Sequence, residues 1–107
     1  MEYRIETYVT SSGKRPFREW LDDLSDMKAR AAIDLRIERL EMGNFGKCEP
    51  VGEGVFELKF KLGPGYRVYF SKVGSCIILL LCAGDKGSQK KDIVKAKEYF
   101  QDYKIRG

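Results

Sequence analysis

The sequence predicts an α+β domain with a small, mostly antiparallel sheet. Three observations carry that expectation. Apolar and polar residues alternate with period two at Tyr3–Val9 and again on both sides of Gly63-Pro64-Gly65. Three further segments repeat their apolar residues at helical spacing. An unbroken apolar run, Cys76 to Ala83, suits a strand covered on both faces. With 107 residues, 43% of them hydrophobic, the chain can bury one modest core, so a single domain over 1–107 is expected.

Tyr3, Ile5, Thr7 and Val9 alternate with charged or polar neighbours and read as a first strand, ended by Ser11-Ser12-Gly13. Pro16 suits the first turn of a short helix, where its missing N–H has no partner to lose. Phe17, Trp20, Leu21 and Leu24 follow at helical spacing. Ser25 is the expected N-cap of a second helix, with Asp26 favourable near its positive end. Ala29, Ile33, Ile37 and Leu40 form the buried stripe of that helix, and Gly43 its C-terminal stop. These helices make a hairpin expected to lie on the sheet. Asn44 to Gly54 reads as a loop. Two strands of a charged hairpin follow, then the apolar strand, then a last helix capped by Ser88 with Ile93, Ala96, Phe100 and Tyr103 on one stripe. The expected order is β-α-α-β-β-β-α.

In the charged hairpin, Phe56, Leu58, Phe60 and Leu62 share one face with Tyr66, Val68 and Phe70. Glu57, Lys59 and Lys61 share the other with Arg67, Tyr69 and Ser71. Only a loop of odd length keeps the two faces apart, and a three-residue loop at Gly63-Pro64-Gly65 would pair Lys61 with Arg67 and Lys59 with Tyr69. Like charges set opposite one another destabilise a sheet, so their presence points to an external anion.

Charge is unevenly placed. The chain carries a formal +4, with 8 Lys/Arg against 9 Asp/Glu in 1–46 and 12 against 7 in 47–107. A basic second half points toward a polyanion such as nucleic acid. There is no histidine, so a zinc site is not expected. Three cysteines without a paired spacing argue against a disulfide framework, and Cys76 and Cys82 read as small core residues. No apolar run approaches membrane-span length and Met1-Glu2-Tyr3-Arg4 shows no signal-peptide pattern, so a cytoplasmic protein is expected.

Several pieces recur in one order: Pro16-Phe17-Arg18-Glu19-Trp20-Leu21, Gly43-Asn44-Phe45-Gly46, Phe56-Glu57-Leu58-Lys59, Gly63-Pro64-Gly65-Tyr66-Arg67-Val68-Tyr69 and Gly84-Asp85-Lys86 with Gln89, Asp92 and Ile93. Together they resemble the RelE/ParE superfamily of toxins from type II toxin–antitoxin modules, in its HigB-like or phage-derived addiction module killer branch. The resemblance implies a RelE-like fold and a growth-arresting toxin whose partner is a helix-turn-helix antitoxin. It further implies cleavage of mRNA at the ribosome, without a cofactor. The binding of DNA gyrase, as in ParE, is the alternative it leaves open, with an inactive remnant that only binds an antitoxin as a third.

RNA can be cut without a metal when its own 2′-hydroxyl attacks the adjacent phosphate, given a base, an acid and positive charge on the phosphate. Arg67 has the planar fork that matches two phosphate oxygens. Lys59 is the expected proton-transfer group, its charged form disfavoured by Lys61 and Arg67, with Glu57 a rival base. Tyr69 would orient the 2′-hydroxyl or stack on a base. Lys86, which matches a basic position of the family, would face the same phosphate. Lys61, Lys90 and Lys91 would add backbone affinity. Ribonucleases of this class often carry a Tyr or His after the last strand, and Gly87 to Ile93 contains neither. The general acid therefore stays open.

Overall fold

A computed structural model describes residues 2–106; Met1 and Gly107, the outermost residues of the expected domain, lie outside the described residues. The elements are β1 (Arg4–Thr7), α1 (Pro16–Asp23), α2 (Met27–Glu41), β2 (Glu49–Gly52), β3 (Val55–Lys59), β4 (Arg67–Val73), β5 (Ile77–Gly84) and α3 (Gln89–Arg106), with a 3-10 turn at Lys86–Ser88 leading into α3. The sheet order is β1-β5-β4-β3-β2. β1 runs parallel to β5 and the other three pairings are antiparallel. The α+β class is thus observed, with one strand more than the sequence suggested.

That additional strand is β2. Pro50 disguises it, since proline cannot donate to a ladder and is confined to edge strands such as this one. Its turn into β3 uses Glu53 at φ 55° between Gly52 and Gly54, both also at positive φ. Two caps also differ from expectation. Asp26, not Ser25, caps α2, its Oδ1 accepting the N–H of Ala29 at 3.0 Å. Asp85 caps the 3-10 turn, and Ser88 completes a reciprocal capping box with it. Gly43 does stop α2, at φ 83° with its N–H bonded to the carbonyl of Leu40.

The sheet is covered on both faces. Phe17, Leu21, Ile33 and Leu40 from the helical hairpin bury Leu58, Val68, Phe70, Ile78 and Leu80. On the opposite face Ala96 and Phe100 of α3 bury Val55, Tyr69, Leu79, Leu81 and Cys82. The interior strand β5 is consequently apolar throughout, as a doubly covered strand must be. Cys76 is a correction: it precedes β5 in the turn and is exposed, whereas Cys82 is buried. No described helix is long and apolar enough to cross a membrane.

Candidate functional site

The charged hairpin keeps the predicted odd parity but not the predicted register. Lys59 stands opposite Arg67, and Glu57 opposite Tyr69. The N–H of Phe60 donates to the carbonyl of Tyr66 at 2.9 Å, so the loop holds five residues, Lys61 to Gly65. Gly63 and Gly65 both sit at positive φ and the N–H of Gly65 donates to Leu62 O, so a tight turn lies inside the longer loop. Hydrogen-bonded and open pairs alternate along an antiparallel ladder, which makes Lys59 and Arg67 an open pair, with Cα atoms ~4.5 Å apart. Two cations are therefore forced side by side.

The wall they share is not uniformly wet, contrary to the sequence-based expectation. α3 crosses its middle, leaving Tyr69 at 0%, Ser71 at 0% and Glu57 at 2% exposure. Tyr69 can neither stack on a base nor touch a 2′-hydroxyl directly. Its hydroxyl donates to Glu57 Oε2 at 2.9 Å, and burial followed by that carboxylate raises its pKa, so it stays a donor. Gln89 Nε2, from the first turn of α3, donates to the same oxygen at 2.9 Å. Glu57 is thus a buried anchor and is no longer the rival base.

Arg67 lies at the edge of this covered zone and is itself 9% exposed. Its Nη1 donates to the carbonyl of Gly65 at 2.8 Å, and its Nε stands 3.6 Å from Glu57 Oε2. Among the described residues, that Nε is the one buried side-chain nitrogen or oxygen without a hydrogen-bond partner. Buried donors are nearly always satisfied, so an orphan on a guanidinium calls for an account. A Cβ on Gly65 would stand 3.3 Å from Arg67 Nη1 and 3.5 Å from Cβ of Lys86, which brings Lys86 alongside. Lys86 is exposed and lines a surface hollow with Lys90 and Lys91.

Lys59 faces another way into a cleft of about 340 Å³ lined by Arg36, Lys47, Glu49, Glu57, Lys59 and Lys61. Its ammonium is 3.4 Å from Glu49 Oε2. Arg36 ties down the segment that carries Lys47, donating to the carbonyls of Phe45 and Lys47. Sequence reading missed Glu49 and Arg36. Glu49 was hidden in a presumed loop, and Arg36 looked like any solvated helix position. The structure thus joins Lys59 with Arg67, Lys61 and Glu49, sets Lys86 beside Arg67, and places Lys90 and Lys91 next to Lys86. Among the described residues no group of three or more His, Cys, Asp or Glu is arranged to hold a metal ion.

No protein-family model matches the chain. Over 102 residues, 95% of this chain and 97% of the relative, it is 42% identical to an uncharacterized protein of Haemophilus influenzae. The chain belongs to the family of that protein. Identity at this level across nearly the full length of both proteins means that they share the fold as a whole, and not one motif of it.

Proposed function

We propose that this protein is a RelE/ParE-superfamily toxin with a RelE-like fold, of the HigB-like or addiction module killer branch. In this reading it is an endoribonuclease that cleaves mRNA, at the ribosome, and is silenced by a helix-turn-helix antitoxin. The observation that carries the reading is a nearly buried Arg67 with an unpartnered Nε, set directly opposite Lys59. Each cation has a carboxylate near it, Glu57 at 3.6 Å from Arg67 and Glu49 at 3.4 Å from Lys59, but the guanidinium Nε makes no hydrogen bond, and a buried donor left so is costly. A phosphodiester is an anion whose oxygens match the guanidinium fork, with Lys86 alongside it.

The chemistry follows from what each group offers. The 2′-oxygen attacks phosphorus, the bond to the 5′-oxygen breaks, and the products are a 2′,3′-cyclic phosphate and a 5′-hydroxyl. Arg67 and Lys86 stabilise charge gathering on the non-bridging oxygens. The exposed ion pair in the cleft supplies both proton partners: Glu49 accepts the proton of the 2′-hydroxyl, and Lys59 donates one to the leaving oxygen. Lys61, Lys90 and Lys91 hold the flanking backbone.

Induction of the wild-type protein is expected to arrest growth and to leave discrete mRNA ends by primer extension. Lys59→Ala combined with Arg67→Ala should lower cleavage by roughly a hundredfold or more, since losing a single charge-stabilising donor already costs that much. Binding to a helix-turn-helix antitoxin should persist. Arrest that survives the double change removes this site, and broken DNA in place of cut mRNA moves the assignment to a gyrase poison.

A further inference from the structure

The buried carboxylate beneath Arg67 has a use that packing alone does not supply. Glu57 lies 2% exposed between sheet and α3, where an ionisable group is costly unless fully engaged. Its engagement is one-sided. Tyr69 from β4 and Gln89 from α3 both donate to Oε2, at 2.9 Å each, and Arg67 Nε approaches the same oxygen to 3.6 Å. Two neutral donors hold the carboxylate in place without cancelling its charge. A buried ion pair is by itself weak grounds for stability, because apolar residues of the same size commonly do as well or better. What the arrangement does achieve is orientation. The guanidinium is drawn down by Glu57 on its Nε side and fixed by the carbonyl of Gly65 on its Nη1 side. Its remaining edge then points one way.

We infer that Glu57, steadied by Tyr69 and Gln89, is a positioning residue that pre-sets the phosphate-binding edge of Arg67. The inference rests on the reading of Arg67 as a phosphate ligand given above. Gln89 is the informative member. It comes from the first turn of α3, 32 residues away in sequence, and contributes nothing to the sheet. Positioning of this kind acts on the transition state, where the phosphate geometry is strict, and much less on ground-state affinity, which the exposed lysines provide.

Single-turnover cleavage of a short RNA on purified ribosomes, alongside binding of its 2′-O-methyl analogue, separates the two effects. Glu57→Gln is expected to slow the cleavage step about tenfold or more while analogue affinity changes less than about threefold. In an Arg67→Lys background the same change should cost less than about twofold, because a residue that acts through Arg67 loses its effect with Arg67. Equal losses in both backgrounds, or no loss in either, would overturn the inference. Gln89→Ala, at the protein surface end of the network, gives a second variant with an expected loss of about threefold should Glu57→Gln fold poorly. Exchange of the Arg67 Nε proton, followed by NMR, needs no activity at all. It should be slow in the wild type and about tenfold faster in Gln89→Ala. An unchanged rate sinks the positioning role even if RNA cleavage is confirmed, whereas faster exchange in a protein that never cuts RNA sinks the ribonuclease reading and keeps the positioning.

Discussion

Among single residues, Cys82 shows how burial turns an ordinary group into a reporter of the fold. Its thiol is pushed up to about 12 from 9.0, by burial first and the neighbouring Asp92 second. The folded protein then binds that proton more tightly than the unfolded chain does. The stabilisation is complete below the unfolded value of 9.0 and drains away as pH rises toward about 12. The slope is about 1.4 kcal/mol per pH unit for one group. Tyr69 is raised in the same direction by burial and by Glu57, and adds to the loss above its usual value of 10.0. Urea unfolding of Cys82→Ala across this alkaline range should therefore decline less steeply than the wild type by about 1.4 kcal/mol per unit, and parallel curves would show that the thiol does not titrate in the fold. At this scale the sequence was readable in part. Alternation alone placed Lys59 and Arg67 on one wall, because side-chain direction in a strand follows parity whatever the loop length. It could not place Tyr69, since a tyrosine that faces water and one that faces a covering helix look alike in a polar–apolar pattern. The clue available was Glu57 at matching parity, an acceptor able to satisfy a buried hydroxyl.

Elements were legible wherever apolar residues recurred with a clear period. The stripes of α2 and α3 and the alternation of β3 and β4 all reappear in the two cores. Legibility failed where local chemistry offered two equivalent choices. Ser25 and Asp26 are both good N-caps, and only the backbone decides that Asp26 faces the N–H of Ala29. Asp26→Ala is accordingly expected to cost about 1 kcal/mol in thermal or urea unfolding and Ser25→Ala less than about 0.5 kcal/mol, and the reverse order would contradict the cap. The hairpin register slipped by two residues for a related reason: Gly63-Pro64-Gly65 suits a three-residue loop or the core of a five-residue one. A bulge was also invisible. Tyr69 pairs with Cys82 and Phe70 with Leu80, so Leu81 is the added residue, and Leu81 and Cys82 both fall in the core under α3. That irregularity sets Gly84 opposite Arg67. A Cβ there would collide with Asp92 and Ser88, so the absent side chain lets the start of α3 settle against the strand end.

For the molecule as a whole, charge placement is the property with a direct solution test. Lys59, Lys61, Arg67 and Lys86 gather at one end of the β3–β4 hairpin, in the basic portion of the chain. If the scissile phosphate and three flanking ones held by Lys61, Lys90 and Lys91 are neutralised in single-stranded RNA, log affinity should fall against log salt with a slope of about −3, and Lys61→Ala should reduce it to about −2. Fluorescence anisotropy with a 2′-O-methyl RNA between ~50 and ~200 mM salt reads both numbers, and a flat response would remove the polyanion assignment.

The parallel union of β1 with β5 bears on how the protein comes into being. Arg4–Thr7 lies in register with Ile77–Leu80, so the first strand made finds its neighbour only among the last strand made. A chain emerging during synthesis must carry that segment unmated while the hairpins between are assembled, and contacts of such long sequence separation close slowly. The strand that joins β1 to the rest of the sheet does not exist in any product that stops short of Ile77. Completion of the Arg67 wall, which borders β5, is thereby deferred until Ile77–Gly84 has been made.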